Sequence, residues 1–334
     1  MAEQRERSRP ENGQGMTERP EHHTQRGFRN LATLPGVGLD VTVPFFLRRV
    51  AGLWRDRPGA PPLVANDGVL LREGAAHGAP TVTWVGHATV LVQMDHVSFL
   101  TDPTWSHTAS PFAFVGPRRY APPGLPFEAL PKIDFVLISH NHYDHLDVPT
   151  VRRLAATGAR VLVPLKVGAL LCRAGISQVD ELDWWEARRL GPVTVHCVPS
   201  QHWSGRGLGD QSLTLWGGWA VIGQTQRFYF AGDTGYFPGF ADIGSRLGPF
   251  GLAAVPIGAY EPQAMMRPVH LNPEEALQAG LDVGADVMLG MHYGTFDLTD
   301  EPLDEPPRRF RAEALRRSLS ESVWTPPLGE TRRW

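Results

Sequence analysis

The sequence predicts an α/β fold in which two β-sheets pack face to face and helices cover their outer surfaces. From residue 81 onward, short segments rich in β-branched and aromatic residues are bounded by Gly, Pro or Asp, which is typical of strands. Strands come first, and strands with interleaved helices follow, in two halves. An order of this kind favours packed sheets with helices outside.

The predicted elements follow one another through residues 81–319. The strand candidates are residues 81–85, 89–94, 97–101, 135–139, 161–164, 193–198, 213–221, 227–231, 252–257 and 287–291. The helix candidates are residues 149–156, 166–174, 239–247, 273–283 and 308–319. Asn272, Pro273 and Glu274 form the pattern of an N-cap, a first-turn proline and an acid that complements the helix dipole.

Composition divides the chain into three parts. Residues 1–26 are rich in Arg, Glu, Gln and His and lack the apolar core of a secretory signal, which predicts a disordered charged tail. Residues 27–62 are predicted to form an amphipathic segment and a proline-rich linker. Residues 63–334 are predicted to form the main folded domain.

One helical pattern precedes that domain, in residues 41–57. Pro44 could open a helix, and Phe46, Val50, Leu53 and Trp54 then fall on one face at helical spacing. Two interpretations stay open: a helix that packs on its own domain, or a basic amphipathic segment that touches a membrane surface.

Bulk composition excludes several classes of protein. The formal net charge of −3 gives no basic footprint, so nucleic acid is not expected as a partner. Two cysteines, Cys172 and Cys197, do not make a disulfide framework and fit a reducing compartment, which predicts a cytoplasmic location. No apolar run approaches the length of a membrane span.

The strongest chemical signal is the hexapeptide His140-Asn141-His142-Tyr143-Asp144-His145, which directly follows an apolar run. Imidazoles and carboxylates are the ligands of zinc and similar divalent ions, and a chance match to this spacing is rare. Four donors on one turn are too many for one open tetrahedral site. The spacing therefore indicates two metal sites a few ångströms apart.

A pair of metal ions needs further ligands, and the sequence offers three. His202, Asp233 and His292 each follow an apolar predicted strand. Functional side chains concentrate on loops held by a rigid scaffold, and the same placement recurs three times. We expect these residues to join the hexapeptide.

Asp102, the hexapeptide, His202, Asp233 and His292, in this order, resemble the metallo-β-lactamase superfamily. The resemblance implies a four-layer αβ/βα sandwich with a dinuclear site at one edge of the two sheets. Longer segments resemble the N-acyl-phosphatidylethanolamine-hydrolysing phospholipase D family more closely, and they lie at residues 83–90, 99–103, 182–186, 199–203, 230–236 and 256–262.

The resemblance also implies a role for each site residue. His140, His142 and His202 would hold one ion, Asp144, His145 and His292 the other, with Asp233 between them and Zn²⁺ as the expected metal. Asp102 would orient a ligand imidazole. Asp144, Asp233 and His270 are the expected catalytic residues, with His270 near the scissile phosphate. His87 would support the site or be structural, and weaker candidates for a substrate wall are Tyr260, Arg206, Trp184 and Trp185.

The expected activity is hydrolysis of N-acyl-phosphatidylethanolamine to N-acylethanolamine and phosphatidic acid, by a peripheral enzyme at a membrane surface. Asp233 argues against β-lactamase activity, where Cys is usual, and His142 argues against the oxygen-reducing branch, where Glu is usual. The alternative is a cytosolic metal-dependent hydrolase of a small phosphate ester or lactone. A third is a metal-retaining protein without turnover. Relatives suggest a homodimer.

Overall fold

Two seven-stranded mixed sheets form the centre of the protein, as seen in a computed structural model. The structure describes residues 19–52, 58–112 and 115–334. Helices pack on the outer face of each sheet, which gives the predicted four-layer α/β sandwich. Among the described residues, no helix has the length and apolar character needed to cross a bilayer.

The first sheet has the strand order β14-β1-β2-β3-β4-β5-β6. Its strands are β1 (Thr81–Gly86), β2 (Thr89–Met94), β3 (Val97–Thr101), β4 (Phe135–Leu137), β5 (Arg160–Pro164), β6 (Val179–Leu182) and the last strand of the chain, β14 (Thr331–Arg333). Neighbours from β14 to β3 pair antiparallel, and those from β3 to β6 pair parallel.

The second sheet has the order β13-β12-β11-β10-β9-β8-β7. Its strands are β7 (Ala187–Leu190), β8 (Val193–Val198), β9 (Gly218–Ile222), β10 (Arg227–Phe230), β11 (Phe250–Pro256), β12 (Ala285–Met291) and β13 (Val323–Trp324). The strands β10 to β13 are parallel. Their carboxyl ends therefore lie at the same edge of the sheet, which brings the loops after β10 and β12 together.

Eight α-helices occur in the part of the chain that the structure describes. They are α1 (Leu39–Gly52), α2 (Val69–His77), α3 (Val148–Ala156), α4 (Gly168–Arg173), α5 (Gly239–Leu247), α6 (Gln263–Met266), α7 (Pro273–Asp282) and α8 (Glu305–Arg316). The predicted N-cap is present: the Asn272 side chain accepts a bond from the Glu275 amide in a reciprocal capping box.

The core is divided by the first sheet. Phe135 and Leu137 of β4 face the space between the sheets, whereas Val136 and the following Ile138 face the layer of helices that includes α3 and α4. Alternation along a strand produces this division. Both faces of β4 are buried, which explains why its sequence is a continuous apolar run.

Strands β6, β7, β13 and β14 and helix α2 were missed by the sequence prediction. The strands β6 and β7 carry exposed or half-exposed charged residues, so they lack the apolar pattern of the central strands. The strand predicted at residues 213–221 begins only at Gly218. Residues 19–26, assigned to the tail by composition, contact the domain through His22 and His23.

Helix α1 differs from the prediction at its first turn. It begins at Leu39, and Pro44 lies inside it. Thr42 donates to the Gly38 carbonyl from both its amide and its hydroxyl, at 3.1 and 2.9 Å, so the turn forms before the proline. Leu53 and Trp54, the end of the predicted stripe, lie outside the described residues.

Candidate metal centre

The hexapeptide forms a tight turn between β4 and α3. The amides of His145 and Leu146 both donate to the His142 carbonyl, at 3.2 and 2.8 Å. Arg206 supports the turn from another loop, because its guanidinium donates to the carbonyls of Asn141 and Leu146 at 2.9 Å each. The turn is therefore held in one conformation by backbone bonds on both of its sides.

Three imidazole nitrogens meet at one end of the turn. The Nε2 atom of His140 lies 2.8 Å from Nδ1 of His142, and Nε2 of His202 lies 3.4 Å from the same atom. His202 follows β8 of the other sheet, as the sequence predicted. Nitrogens from three imidazoles at this separation form a donor set that a divalent cation would fit.

A second donor set lies beside the first. The Nε2 atoms of His145 and His292 are 3.1 Å apart, and Oδ2 of Asp144 lies 3.3 Å from the former and 3.6 Å from the latter. Asp233 connects the two sets: its Oδ2 lies 3.1 Å from His145 Nε2 and 3.8 Å from His202 Nε2. All seven predicted ligands thus converge.

The outer partners of these imidazoles fix which nitrogen carries the proton. Asp102 lies 2.7 Å from Nδ1 of His145, and the Val269 carbonyl accepts from Nδ1 of His202 at 2.9 Å. Since each Nδ1 donates outward, Nε2 is the nitrogen of each ring that would bind a cation at the centre.

Ser139 contacts a third imidazole and was not predicted from the sequence. Its hydroxyl donates to Asp102 and is 2.9 Å from Nδ1 of His140, so it accepts from that nitrogen. Its amide also donates to Asp102 at 2.7 Å. The only signal in the sequence is its position, directly before His140 at the end of an apolar run.

Electrostatics within the centre favour positive charge. Burial raises the pKa of Asp233, but His145 and His292 outweigh burial and hold it well below its usual range. Burial lowers the pKa of His292, yet Asp233 and Asp144 raise it overall to about 9. In the absence of an ion, protons on imidazole neutralise these carboxylates. A divalent cation would serve the same purpose.

Three residues at this site have an unusual backbone conformation. His87, Asp102 and His292 have φ values of 53°, 34° and 62°, in the left-handed region that residues other than glycine rarely adopt. Such conformations each cost on the order of 1–3 kcal/mol and persist where the surrounding structure enforces them. The His292 amide donates to the His87 carbonyl at 3.0 Å, which joins two of these strained loops.

A cavity of about 420 Å³ opens over the two donor sets. Its polar floor consists of His142, Asp144, His202, Asp233 and His270. Its walls are mostly apolar and include Leu34, Pro35, Val37, Phe45, Met265 and Met266. The sequence predicted His270 here, but the wall residues 34–37 carry no pattern that distinguishes them from a linker.

Four weaker candidates for the substrate wall do not line this cavity. The Tyr260 hydroxyl donates to Glu305, and Trp184 is buried in the core between the sheets. Arg206 supports the hexapeptide instead, and Trp185 packs against the guanidinium of Arg246. Aromatic and arginine side chains pack in cores as readily as they contact ligands, so sequence alone did not separate the two roles.

The fold and the donor sets define a class of protein. The profile of the beta-lactamase superfamily domain matches residues 98–293, which include all seven converging side chains. The chain therefore belongs to the metallo-β-lactamase superfamily and is a metal-dependent hydrolase. A metallo-hydrolase from Ignicoccus hospitalis shares the fold, with a TM-score of 0.58, 24% identity and coverage of 77% of this chain and 98% of that one.

Within the superfamily, this chain resembles N-acyl-phosphatidylethanolamine-hydrolyzing phospholipase D. A Caenorhabditis elegans protein of that name is 45% identical over 237 residues, which cover 67% of each chain. An uncharacterized protein of Mycobacterium tuberculosis is 44% identical over 276 residues, or 81% of this chain and 73% of that one.

Proposed function

We propose that this protein is a dinuclear zinc phosphodiesterase of the phospholipase D type. Its substrate would be N-acyl-phosphatidylethanolamine, and its products N-acylethanolamine and phosphatidic acid. The observation that carries the proposal is the cavity, in which His and Asp side chains form the floor and apolar side chains form most of the wall. The relatives named for this activity support the same substrate class.

The chain's own residues divide into holding and reacting groups. His140, His142 and His202 would hold one ion and Asp144, His145 and His292 the other, with Asp233 between them. When bound, such ions activate a water molecule as nucleophile and neutralise charge on phosphoryl oxygens.

His270 is placed to act on the phosphate. It lies in the cavity with Nδ1 3.9 Å from Oδ2 of Asp233, and it is nearly buried. Burial lowers its pKa to about 4, so the imidazole is neutral at pH 7. A neutral imidazole N–H would donate to the oxygen that departs with N-acylethanolamine when water attacks phosphorus and that phosphorus–oxygen bond breaks.

Helix α1 would bring the enzyme to its substrate. Phe45 reaches into the cavity, whereas a stripe on the same helix faces solvent: Leu39, Val43, Phe46, Leu47 and Val50 are 49–78% exposed. Arg49 pairs with Asp297 at 2.7 Å, which fixes the helix to the domain. An apolar stripe held beside a cavity mouth fits contact with a lipid surface, at which the protein would be peripheral.

The decisive experiment compares lipid and soluble substrates. Wild type and Asp233→Asn are incubated with vesicles that contain N-acyl-phosphatidylethanolamine, and the released N-acylethanolamine is measured by mass spectrometry. We expect metal-dependent release by wild type and none by the variant. Hydrolysis of soluble phosphate esters or lactones without any release from vesicles would refute the lipid proposal and leave the small-substrate hydrolase.

The exposed stripe of α1 could instead be covered by a second copy of the chain in a homodimer. Sedimentation velocity of wild type and of Leu47→Ser measures this directly. A dimer that the substitution dissociates would assign the stripe to a homodimer interface. A sedimentation coefficient unaffected by the substitution, with weaker vesicle binding, would assign it to the membrane.

A further inference from the structure

Residues 20–30 form a compact hairpin on the surface of the domain, which we call the N-terminal strap. The Thr24 amide donates to the Gly27 carbonyl, and the Arg29 amide donates to the His22 carbonyl, at 2.8 Å each. These bonds close the hairpin from within. The strap is thus a folded hairpin.

Several contacts dock the strap on the domain. Phe28 is buried in the core between the sheets, and its amide donates to the Ser212 carbonyl at 2.8 Å. His22 and His23 each place Nε2 2.7 Å from an oxygen of Asp183. A Cβ atom on Gly27 would lie 2.0 Å from the Ser212 carbonyl oxygen, so only glycine permits this approach.

The strap ends on a residue of the metal centre. The Asn30 side chain donates through Nδ2 to the His202 carbonyl at 2.7 Å and accepts through Oδ1 from the His202 amide at 3.1 Å. One carboxamide thereby satisfies both backbone groups of His202, as a neighbouring strand would. Among side chains of this length, only asparagine both donates and accepts in this way.

This pairing completes the restraint of His202. Its ring is fixed through Nδ1 by the Val269 carbonyl, and its backbone is fixed by Asn30. With both ends held, Nε2 has one direction in which to point, toward His142 and Asp233. Groups that orient ligands in this manner typically contribute 10–100-fold to metal affinity or activity.

We propose that Asn30 is a positioning residue of the metal centre, acting through the backbone of His202, and that the N-terminal strap is an integral part of the site. The inference rests on the proposed metal-binding function. It adds that Asn30, which is 172 residues before His202 in the sequence, sets the geometry of that ligand. No residue of the strap lines the cavity over the donor sets.

Two substitutions test the role of Asn30, and a second asparagine supplies the control. Asn30→Asp keeps the size but turns an oxygen toward the His202 carbonyl, and Asn30→Ala removes both bonds without repulsion. Asn66 is similarly half-buried and also bonds backbone groups, Gly329 O at 2.6 Å and Gly68 N at 2.8 Å. Asn66→Asp and Asn66→Ala therefore make the same chemical changes as the Asn30 variants, but at a position away from the metal centre.

The readouts are Zn²⁺ affinity by competition with a chromogenic chelator, the visible absorption of the Co²⁺-loaded protein, and kcat and KM on a soluble activated phosphodiester. We expect both Asn30 variants to lose about 10–100-fold in Zn²⁺ affinity, with an altered Co²⁺ spectrum. We also expect kcat to fall while KM stays within about twofold, because the cavity wall is unchanged. The Asn66 variants should match wild type in all three.

Two results would overturn the inference. Asn30 variants that keep wild-type affinity and spectrum would show that the pairing does not position His202. Equal losses in the Asn66 variants would show a general effect on stability. If Asn30→Asp fails to fold, the Zn²⁺ affinity and Co²⁺ spectrum of Asn30→Ala, compared with those of Asn66→Ala, decide between these outcomes. A wild type that binds no Zn²⁺ at all would instead refute the proposed metal centre, which is a separate result.

Discussion

The Nε2 atom of His87 lies 2.9 Å from Oδ2 of Asp144, the same oxygen that faces His145 and His292. Burial lowers the pKa of His87 to about 3, so the ring is neutral at pH 7 and its Nε2–H donates to the carboxylate. This bond sets the direction of the remaining lone pairs on that oxygen. His87 therefore contacts the second donor set from outside it.

Removing this donor should weaken one metal site more than the other. We expect His87→Ala to lower affinity for the second ion by about 10–100-fold, while the ion held by His140, His142 and His202 is retained. His87→Gln keeps an N–H donor and should lose less. Metal content after dialysis, measured by mass spectrometry, gives the stoichiometry. Loss of both ions, or of neither, would contradict the prediction.

Asp102 is expected to be indispensable for the tautomer of His145. In Asp102→Asn, an amide N–H can face Nδ1 of His145, which would move the imidazole proton onto Nε2 and remove a lone pair from the centre. We expect metal affinity to fall about 10–100-fold. Asp134→Asn, which alters a carboxylate that accepts from the Ser98 amide away from the site, is the control and should bind normally.

Replacement of His270 should separate chemistry from metal binding. His270→Ala is expected to lower kcat by about 100-fold, since it removes a donor to the departing oxygen, while two ions per chain remain bound. Steady-state kinetics on the soluble phosphodiester and metal analysis of the same preparation check both halves. A variant that loses metal would assign His270 to the ligand set.

Metal removal should destabilise the whole domain. The hexapeptide follows a strand of the first sheet, whereas His202, Asp233 and His292 follow strands of the second. Ions bound between them would link the sheets and stabilise the folded state by about 4 kcal/mol at a free concentration 1,000 times the dissociation constant. A chelator should therefore lower the thermal midpoint, and added Zn²⁺ should restore it. An unchanged midpoint would count against ions shared by both sheets.

Polar substitutions on α1 should impair hydrolysis of a lipid substrate in vesicles but not hydrolysis of a soluble substrate. Phe46 and Leu47 are 57% and 65% exposed, and burial of such a side chain in lipid contributes about 1.5–3 kcal/mol. We expect the double variant Phe46→Ser, Leu47→Ser to bind vesicles at least about 100-fold more weakly. Leu315→Ser on α8, also exposed at 71%, is the matched control. Equal losses on both substrates would exclude a membrane role for the stripe.

Much of the fold and the donor sets was predictable because the relevant signals are local. The hexapeptide follows a buried strand, and its ligands are neighbours in sequence. His202, Asp233 and His292 each follow another apolar strand that ends at the same edge. At each of these residues, an apolar run marks the strand, and a His or Asp side chain follows the run, so the sequence alone predicted both the strand and the donor.

The contacts that support the site were less accessible to sequence reasoning. The pairing of Asn30 with His202 joins a polar segment near the N-terminus to a loop after β8, and no periodicity links the two. Tyr260 and Trp184 belong to motifs that resemble the family, yet they pack away from the cavity. Edge strands β6 and β7 lack an apolar face, so only pairing with their neighbours defines them.

The cavity wall has a consequence for how new specificities can evolve in this scaffold. Leu34, Pro35, Val37 and Phe45 lie outside residues 98–293, the stretch common to the superfamily, whereas the metal-facing side chains lie within it. Part of the cavity wall is thus encoded outside the stretch that carries the donor side chains, although Met265 and Met266 of the wall lie within that stretch. Exchange of residues 31–52 between homologues would therefore alter this part of the wall, while Asn30 and the donor side chains stay unchanged.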